Sequence, residues 1–158
     1  MSESFVIDAN VIAFAAGAHG EDEQNAACLN IVSKIMLEED LCFALDTEGK
    51  ILGEYKSNLS NYKNPHTKLI QEYIEKQLKQ KDGITFHIPE HESEVEELKA
   101  KGFHDDDLIF VRVAPKTSSQ TITSCDSNSF LDDEYKDWIE SELGVSVFPP
   151  EEFNPSSN

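Results

Sequence analysis

Short apolar runs that stop at a polar residue alternate with longer stretches of helical periodicity, and this alternation limits the fold more than any other feature of the chain. "SFVI" (4–7) runs into Asp8, "LCFALD" (41–46) ends on Asp46, "GITFHI" spans 83–88, and "QTITS" (120–124) leads to Asp126. Such runs, too short for helices and lacking polar alternation, predict strands buried on both faces. The stretches between them read as helices. "NVIAFAAGA" is a short one broken at Gly17. The acidic turn "HGEDEQ" (19–24) opens a long one, in which Ala27, Leu29, Ile31, Val32, Ile35 and Met36 recur near helical spacing. "GKILGEYKSNL" precedes the turn "NYKNPH", and residues 66–80 place Leu69, Ile70, Tyr73, Ile74 and Leu78 on one side. The solvated acidic helix "ESEVEELKAK" ends at Gly102; "DLIFVRVA" follows; "DDEYKDWIESEL" begins at Asp132 and Asp133 and ends at Gly144. "VSVF" predicts a fifth, edge strand. Strands separated by helices imply β-α-β units, hence an α/β fold: a three-layer α/β/α sandwich with a central, mostly parallel sheet of four or five strands. A single domain is expected over 1–148, with 149–158 a flexible tail. Ligands of such sheets bind beyond the carboxyl ends of the strands, where Asp8, Asp46 and Asp126 fall.

A chain of 158 residues, 39% hydrophobic and 28% charged, suits one globular domain. No apolar stretch approaches the roughly 20 residues of a membrane helix, so no membrane partner is expected. "MSESFVIDANVIAF" carries no basic region ahead of its apolar part. It therefore reads as no secretory signal, which points to the cytoplasm. Cys28, Cys42 and Cys125 are odd in number and widely spaced, which fits neither a disulfide framework nor a CxxC-type zinc site. They read as core or incidental thiols. Thirteen Lys and Arg face 31 Asp and Glu, a net charge of −18. So acidic a chain does not attract nucleic acid through bulk electrostatics. Any nucleic-acid activity needs a local basic patch, screening cations or a basic partner. Lys56, Lys63, Lys68, Arg112 and Lys116 hold much of the positive charge for that purpose, although such residues are ordinarily just solvated.

Four acids recur in order: Asp8 after the first strand, Glu54 within an apolar helix, the run Asp105–Asp107 before "LIFVRVA", and Asp126 in "TITSCDSNSF". Each has an ordinary alternative. Asp8 can cap the helix that follows, Glu54 can be a surface acid, and Asp126 can be a turn residue. Asp46 reads better as a helix cap than as a site residue. The histidines, His19, His66, His87, His91 and His104, show no metal-ligand spacing. His104 lies next to the aspartate run, either as a loop residue or in contact with a phosphate. Tyr55 and Tyr62 either stack on a base or pack.

The ordered acids resemble the PIN-domain nucleases, the family that includes the VapC-type toxins. "FVIDAN" is similar to its first motif, an apolar strand ending in Asp-x-(Ser/Thr/Asn). "ILGEY" is similar to the second, "DLIFVRVA" to the third and "TITSCDSNSF" to the fourth, so the resemblance spans about residues 4–148. It implies a PIN-like fold and a metal-dependent endoribonuclease, a toxin or a defence or RNA-processing enzyme. Mg²⁺ or Mn²⁺ would be held by Asp8, Glu54, Asp107 and Asp126, with Asn10 orienting a ligand or water. In the family's third motif the Asp precedes a small helix residue by seven, and Ala114 then selects Asp107. Helical geometry agrees, since Phe110, Val111 and Ala114 share its face. Asp105 and Asp106 are left as cap and solvent-facing acid. Ser127 and Asn128 stand where the family often has further polar groups. The implied partners are RNA, single-stranded RNA included, an antitoxin-like or other protein, and a second copy of the chain. The acidity of the chain keeps a catalytically inactive, protein-binding PIN-like module as the alternative. An aspartyl phosphatase of the haloacid-dehalogenase type falls behind both, because "DAN" lacks the second aspartate two residues on.

Overall fold

β1 (Glu3–Ile7) is the central strand, and Phe5, Val6 and Ile7 are all at most 2% exposed. A strand that buries consecutive side chains must be covered on both faces, as the unbroken apolar run requires. The computed structural model describes residues 2–17, 22–60, 65–80, 84–86 and 93–155. Five parallel strands lie in the order β3-β2-β1-β4-β5, with β2 at Leu41–Asp46, β3 at Ile84–Phe86, β4 at Thr121–Thr123 and β5 at Ser146–Phe148. Helices flank the sheet, giving the expected three-layer α/β/α sandwich: α1 (Ala9–Ala15), α2 (Asp22–Leu37), α3 (Lys50–Ser60), α4 (Pro65–Gln80), α5 (Ser93–Ala100), α6 (Leu108–Val113) and α7 (Asp133–Leu143). "VSVF" is the edge strand it was expected to be.

The strand order places the site. From β1 the chain steps outward to β2 and β3, then returns to the other side of β1 for β4 and β5. The direction of winding therefore reverses between β1 and β4, which opens a crevice at their carboxyl ends. The Asp8 amide donates to the Thr123 carbonyl at 2.9 Å and fixes the two strand ends side by side.

Several local expectations change. Leu69 and Tyr73 are 68% and 50% exposed, and the inward face of α4 is Thr67, Ile70, Ile74 and Leu78 instead. On α2, Leu29 is exposed and Cys28 takes the core position beside Ile31, Val32 and Ile35. α5 is not wholly solvated, because Val95 and Leu98 are buried. The tail expected to be flexible packs as far as residue 155: a 3₁₀ turn at Pro150–Glu152 brings Phe153 edge-on to Phe5, ring centroids 4.9 Å apart. The physical reason is that Phe5, on the central strand, offers apolar area that a terminal aromatic can cover. Gly17 ends α1 at φ +85° and Gly144 ends α7 at φ +67°, conformations that favour glycine. The turn segments 19–21 and 61–64, the flanks of β3, Tyr62, Lys63, His19, His87 and His91 lie outside the described residues.

Candidate functional site

Asp8 is the first residue after β1 and the N-cap of α1, and it is only 4% exposed. One carboxylate oxygen accepts from the Ala9 amide at 2.8 Å, the other from the Ser124 hydroxyl at 2.7 Å. Capping uses one lobe only and so does not exclude a second role for Asp8. Burial pushes its pKa up to about 8, with Asp107 and Asp126 adding to the rise and the Ser124 and Ala9 hydrogen bonds opposing it.

Ser124 follows β4 directly and is fully buried. Its hydroxyl also accepts from the Asp126 amide at 3.0 Å, so one side chain fixes both Asp8 and the backbone that presents Asp126. Asp126 is half-buried and accepts from the Asn128 amide at 2.8 Å. Asn10 takes the Cys125 amide on its side-chain oxygen at 3.2 Å. It positions the loop after β4, a more specific task than the one the resemblance implies.

The aspartate run forms a 3₁₀ turn, Asp105–Asp107, ahead of α6. Its cap is His104, whose Nδ1 accepts from the Asp106 amide at 3.3 Å; Asp105, expected as the cap, is exposed and meets Lys99 at 3.7 Å. The imidazole nitrogen reaches the free amide because 3₁₀ geometry turns that amide back toward residue 104. Asp107 makes no capping hydrogen bond. Its carboxylate instead accepts from the Ser129 hydroxyl at 3.0 Å, half-buried as the face argument requires. Burial raises its pKa, Ser129 opposes the rise, and Asp126 adds to it. Glu54, on α3, is also raised, by burial first and then by Asp106 and Asp107. Asp106 is exposed as expected, yet its charge reaches Glu54.

Asp8, Asp107 and Asp126 therefore form one electrostatically coupled set, with Glu54 joined through the aspartate turn. Asp46 does not belong to it. Both its oxygens are taken by the start of α3, the Lys50 amide at 3.0 Å and the Ile51 amide at 2.9 Å. Tyr55 is core: burial raises its phenol, which donates to the Ile7 carbonyl at 2.6 Å, so it is not available to stack on a base. Ser127 and Asn128 are exposed, and the neighbouring Ser129 is the residue that reaches inward. Ser124 stood within the fourth motif but nothing local marked it as Asp8's partner. Ser129 carried no local signal, because its contact with Asp107 crosses 22 residues.

Among the described residues, no three Asp, Glu, His or Cys side chains converge into a ready metal cradle. The donors are nevertheless all oxygen, and their mutual repulsion is the kind a hard cation relieves. Mg²⁺ keeps several waters, so carboxylates can hold it without all touching it. On chemistry the set fits such an ion; as arranged, it would hold one through waters or after a small closure. A recess of about 340 Å³ adjoins the aspartate turn, lined by Lys50, Lys99 and Arg112 with Glu96 and Asp105. Arg112 was an expected cation, while Lys50 and Lys99 were not. Lys56 on α3, Lys68 on α4 and Lys116 are exposed and do not line this recess. No helix among the described residues is long and apolar enough to cross a membrane.

No protein-family model matches the chain, and neither curated proteins nor solved structures gave a match.

Proposed function

We propose that the protein is a divalent-metal-dependent endoribonuclease of PIN type that hydrolyses RNA phosphodiester bonds. One observation carries this: a buried Asp8 at the winding reversal of a parallel sheet, its pKa raised to about 8 by burial first and then by the charges of Asp107 and Asp126. Holding one buried and two half-buried carboxylates against one another costs stability unless a cation is brought among them. Asp8, Asp107 and Asp126 would hold Mg²⁺ or Mn²⁺, with Glu54 reaching it directly or through water. When bound, such an ion supplies an acidified water and neutralises charge on the phosphate. The chain's own residues do the positioning. Ser124 orients Asp8, Ser129 orients Asp107, and Asn10 ties the loop bearing Asp126 to the start of α1. Lys50, Lys99 and Arg112 line the recess beside Asp105, with Lys50 ion-paired to Glu48 and Lys99 to Asp105, and are the cations proposed to meet the phosphate backbone.

The test is cleavage of single-stranded RNA with Mn²⁺ or Mg²⁺, followed by the same assay on Asp8→Ala and Asp126→Ala. Unchanged activity in either variant removes the site. A non-catalytic protein-binding module is the second reading, favoured by the −18 charge and by the incomplete convergence of the carboxylates. Calorimetry that finds no millimolar Mn²⁺ affinity, with RNA left intact, selects it. The cytoplasmic setting, an antitoxin-like partner and pairing of two copies belong to the same proposal.

A further inference from the structure

Cys28 and Cys125 lie 97 residues apart in sequence, yet their sulfurs are 3.4 Å apart. Cys28 sits on the buried face of α2 and is sealed from solvent, while Cys125 is half-buried in the loop after β4. Gln24, one helical turn before Cys28, also acts on the Cys125 thiol. One face of α2 is thus laid against the residue between Ser124 and Asp126. A disulfide has an S–S length of about 2.05 Å, so the two sulfurs need to approach by only about 1.4 Å, within reach of side-chain rotation. Cys42 is elsewhere: its thiol donates to the Glu3 carbonyl at 3.6 Å, at the opposite end of the sheet.

We propose that Cys28 and Cys125 are an oxidative modification site, which closes to an intramolecular disulfide when the protein meets a peroxide. The sulfur of Cys125, the more accessible of the two, attacks one peroxide oxygen. The O–O bond breaks, water leaves, and Cys125 becomes a sulfenic acid. The sulfur of Cys28 then attacks that of Cys125, the S–O bond breaks, and a second water leaves. Two thiols and one hydrogen peroxide give one disulfide and two waters. The bond staples α2 to the loop that carries Ser124 and Asp126, so its first effect falls on the geometry around Asp8. It would also close a loop of about a hundred residues and stabilise the chain by restricting its unfolded state. None of this depends on the chemistry proposed for the carboxylates.

The full chain, reduced and then treated with hydrogen peroxide, is analysed by intact mass and by thiol titration in denaturant. The expected result is a monomer lighter by about 2 Da, with the three thiols of the chain reduced to one. The melting temperature should rise by about 5–10 °C and return on reduction with dithiothreitol. Cys42→Ala should lose both remaining thiols, and Cys125→Ser should show no loss of mass. Cys28→Ser should also form no disulfide, but its Cys125 should stop at the sulfenic acid, heavier by about 16 Da; because Cys28 is buried, Cys125→Ser, half-exposed, is the variant that decides. Three thiols remaining after treatment would overturn the proposal. So would oxygen adducts in place of the lighter monomer, or a disulfide that persists in Cys125→Ser.

Discussion

Two aspartates end adjacent strands of the same sheet, are each 4% exposed, and each cap a helix: Asp8 after β1 and Asp46 closing β2. They differ in what faces them. Both oxygens of Asp46 receive backbone amides from the start of α3. Asp8 receives one amide and one hydroxyl from across the sheet, and Asp107 and Asp126 press their charge upon it. Strand-end position and burial are therefore shared by a structural carboxylate and the one proposed to be functional. The neighbours that the topology brings distinguish them, because only the β1–β4 side lies at the winding reversal.

The largest test of this contrast is kinetic. Asp8→Ala should lower RNA cleavage by on the order of 10²–10³-fold, whereas Asp46→Ala should leave the rate of the folded protein nearly unchanged. Asp46→Ala should instead lower stability by about 1–2 kcal/mol, as a lost N-cap does. Denaturant unfolding checks that figure, and equal loss of activity in the two variants would erase the distinction.

Next comes pH. The Asp8 carboxyl has a pKa near 3.8 when unfolded and about 8 when folded, so folding favours the protonated form. The stability this contributes is complete below about pH 4 and is lost as pH rises through about 8. Metal-free protein should accordingly melt at falling temperature across that window. Asp8→Asn should flatten the slope and Asp46→Asn should not. Mn²⁺ should restore the melting temperature above pH 7 in wild type and fail to do so in Asp8→Asn. A slope that survives in Asp8→Asn assigns the titration to another group.

Smaller effects test the coupling inside the acid set. Asp107→Asn should lower the Asp8 titration midpoint, followed by carboxyl NMR, because it removes a repelling charge. It should also reduce cleavage by about 10–100-fold. Ser124→Ala should raise the same midpoint, since its hydroxyl stabilises the ionised form, and should cost about 1.5–3 kcal/mol if that carboxylate is charged. Last, Asp105→Asn should stay within about 0.5 kcal/mol of wild type. Asp105→Asn proving more damaging than Asp107→Asn would show that the register of the aspartate run is wrong.

Much of the fold was legible because its signals are local. A buried parallel strand needs an unbroken apolar run, and "SFVI", "LCFALD" and "QTITS" supplied three. The caps at Asp46, Asp132 and Gly144 were also legible, since capping depends on residues one to five apart. Periodicity failed where burial depends on a neighbour. Leu69 and Tyr73 share a helix side with core residues, yet nothing among the described residues covers them as it covers Ile74. The tail differed in the opposite sense: it was expected to be flexible, but Phe153 packs on Phe5.

The sequence by itself determined the alternation of strand and helix and the acids at strand ends, because each rests on local spacing; the preference for Asp107 over its two neighbours came from the resemblance, with the helix face in agreement. Only the tertiary structure decided which acids face one another, that Ser124 and Ser129 hold them, and that Cys28 lies against Cys125. Those are contacts across 116, 22 and 97 residues. Pairings at such separations are set by strand order, and no local pattern encodes them.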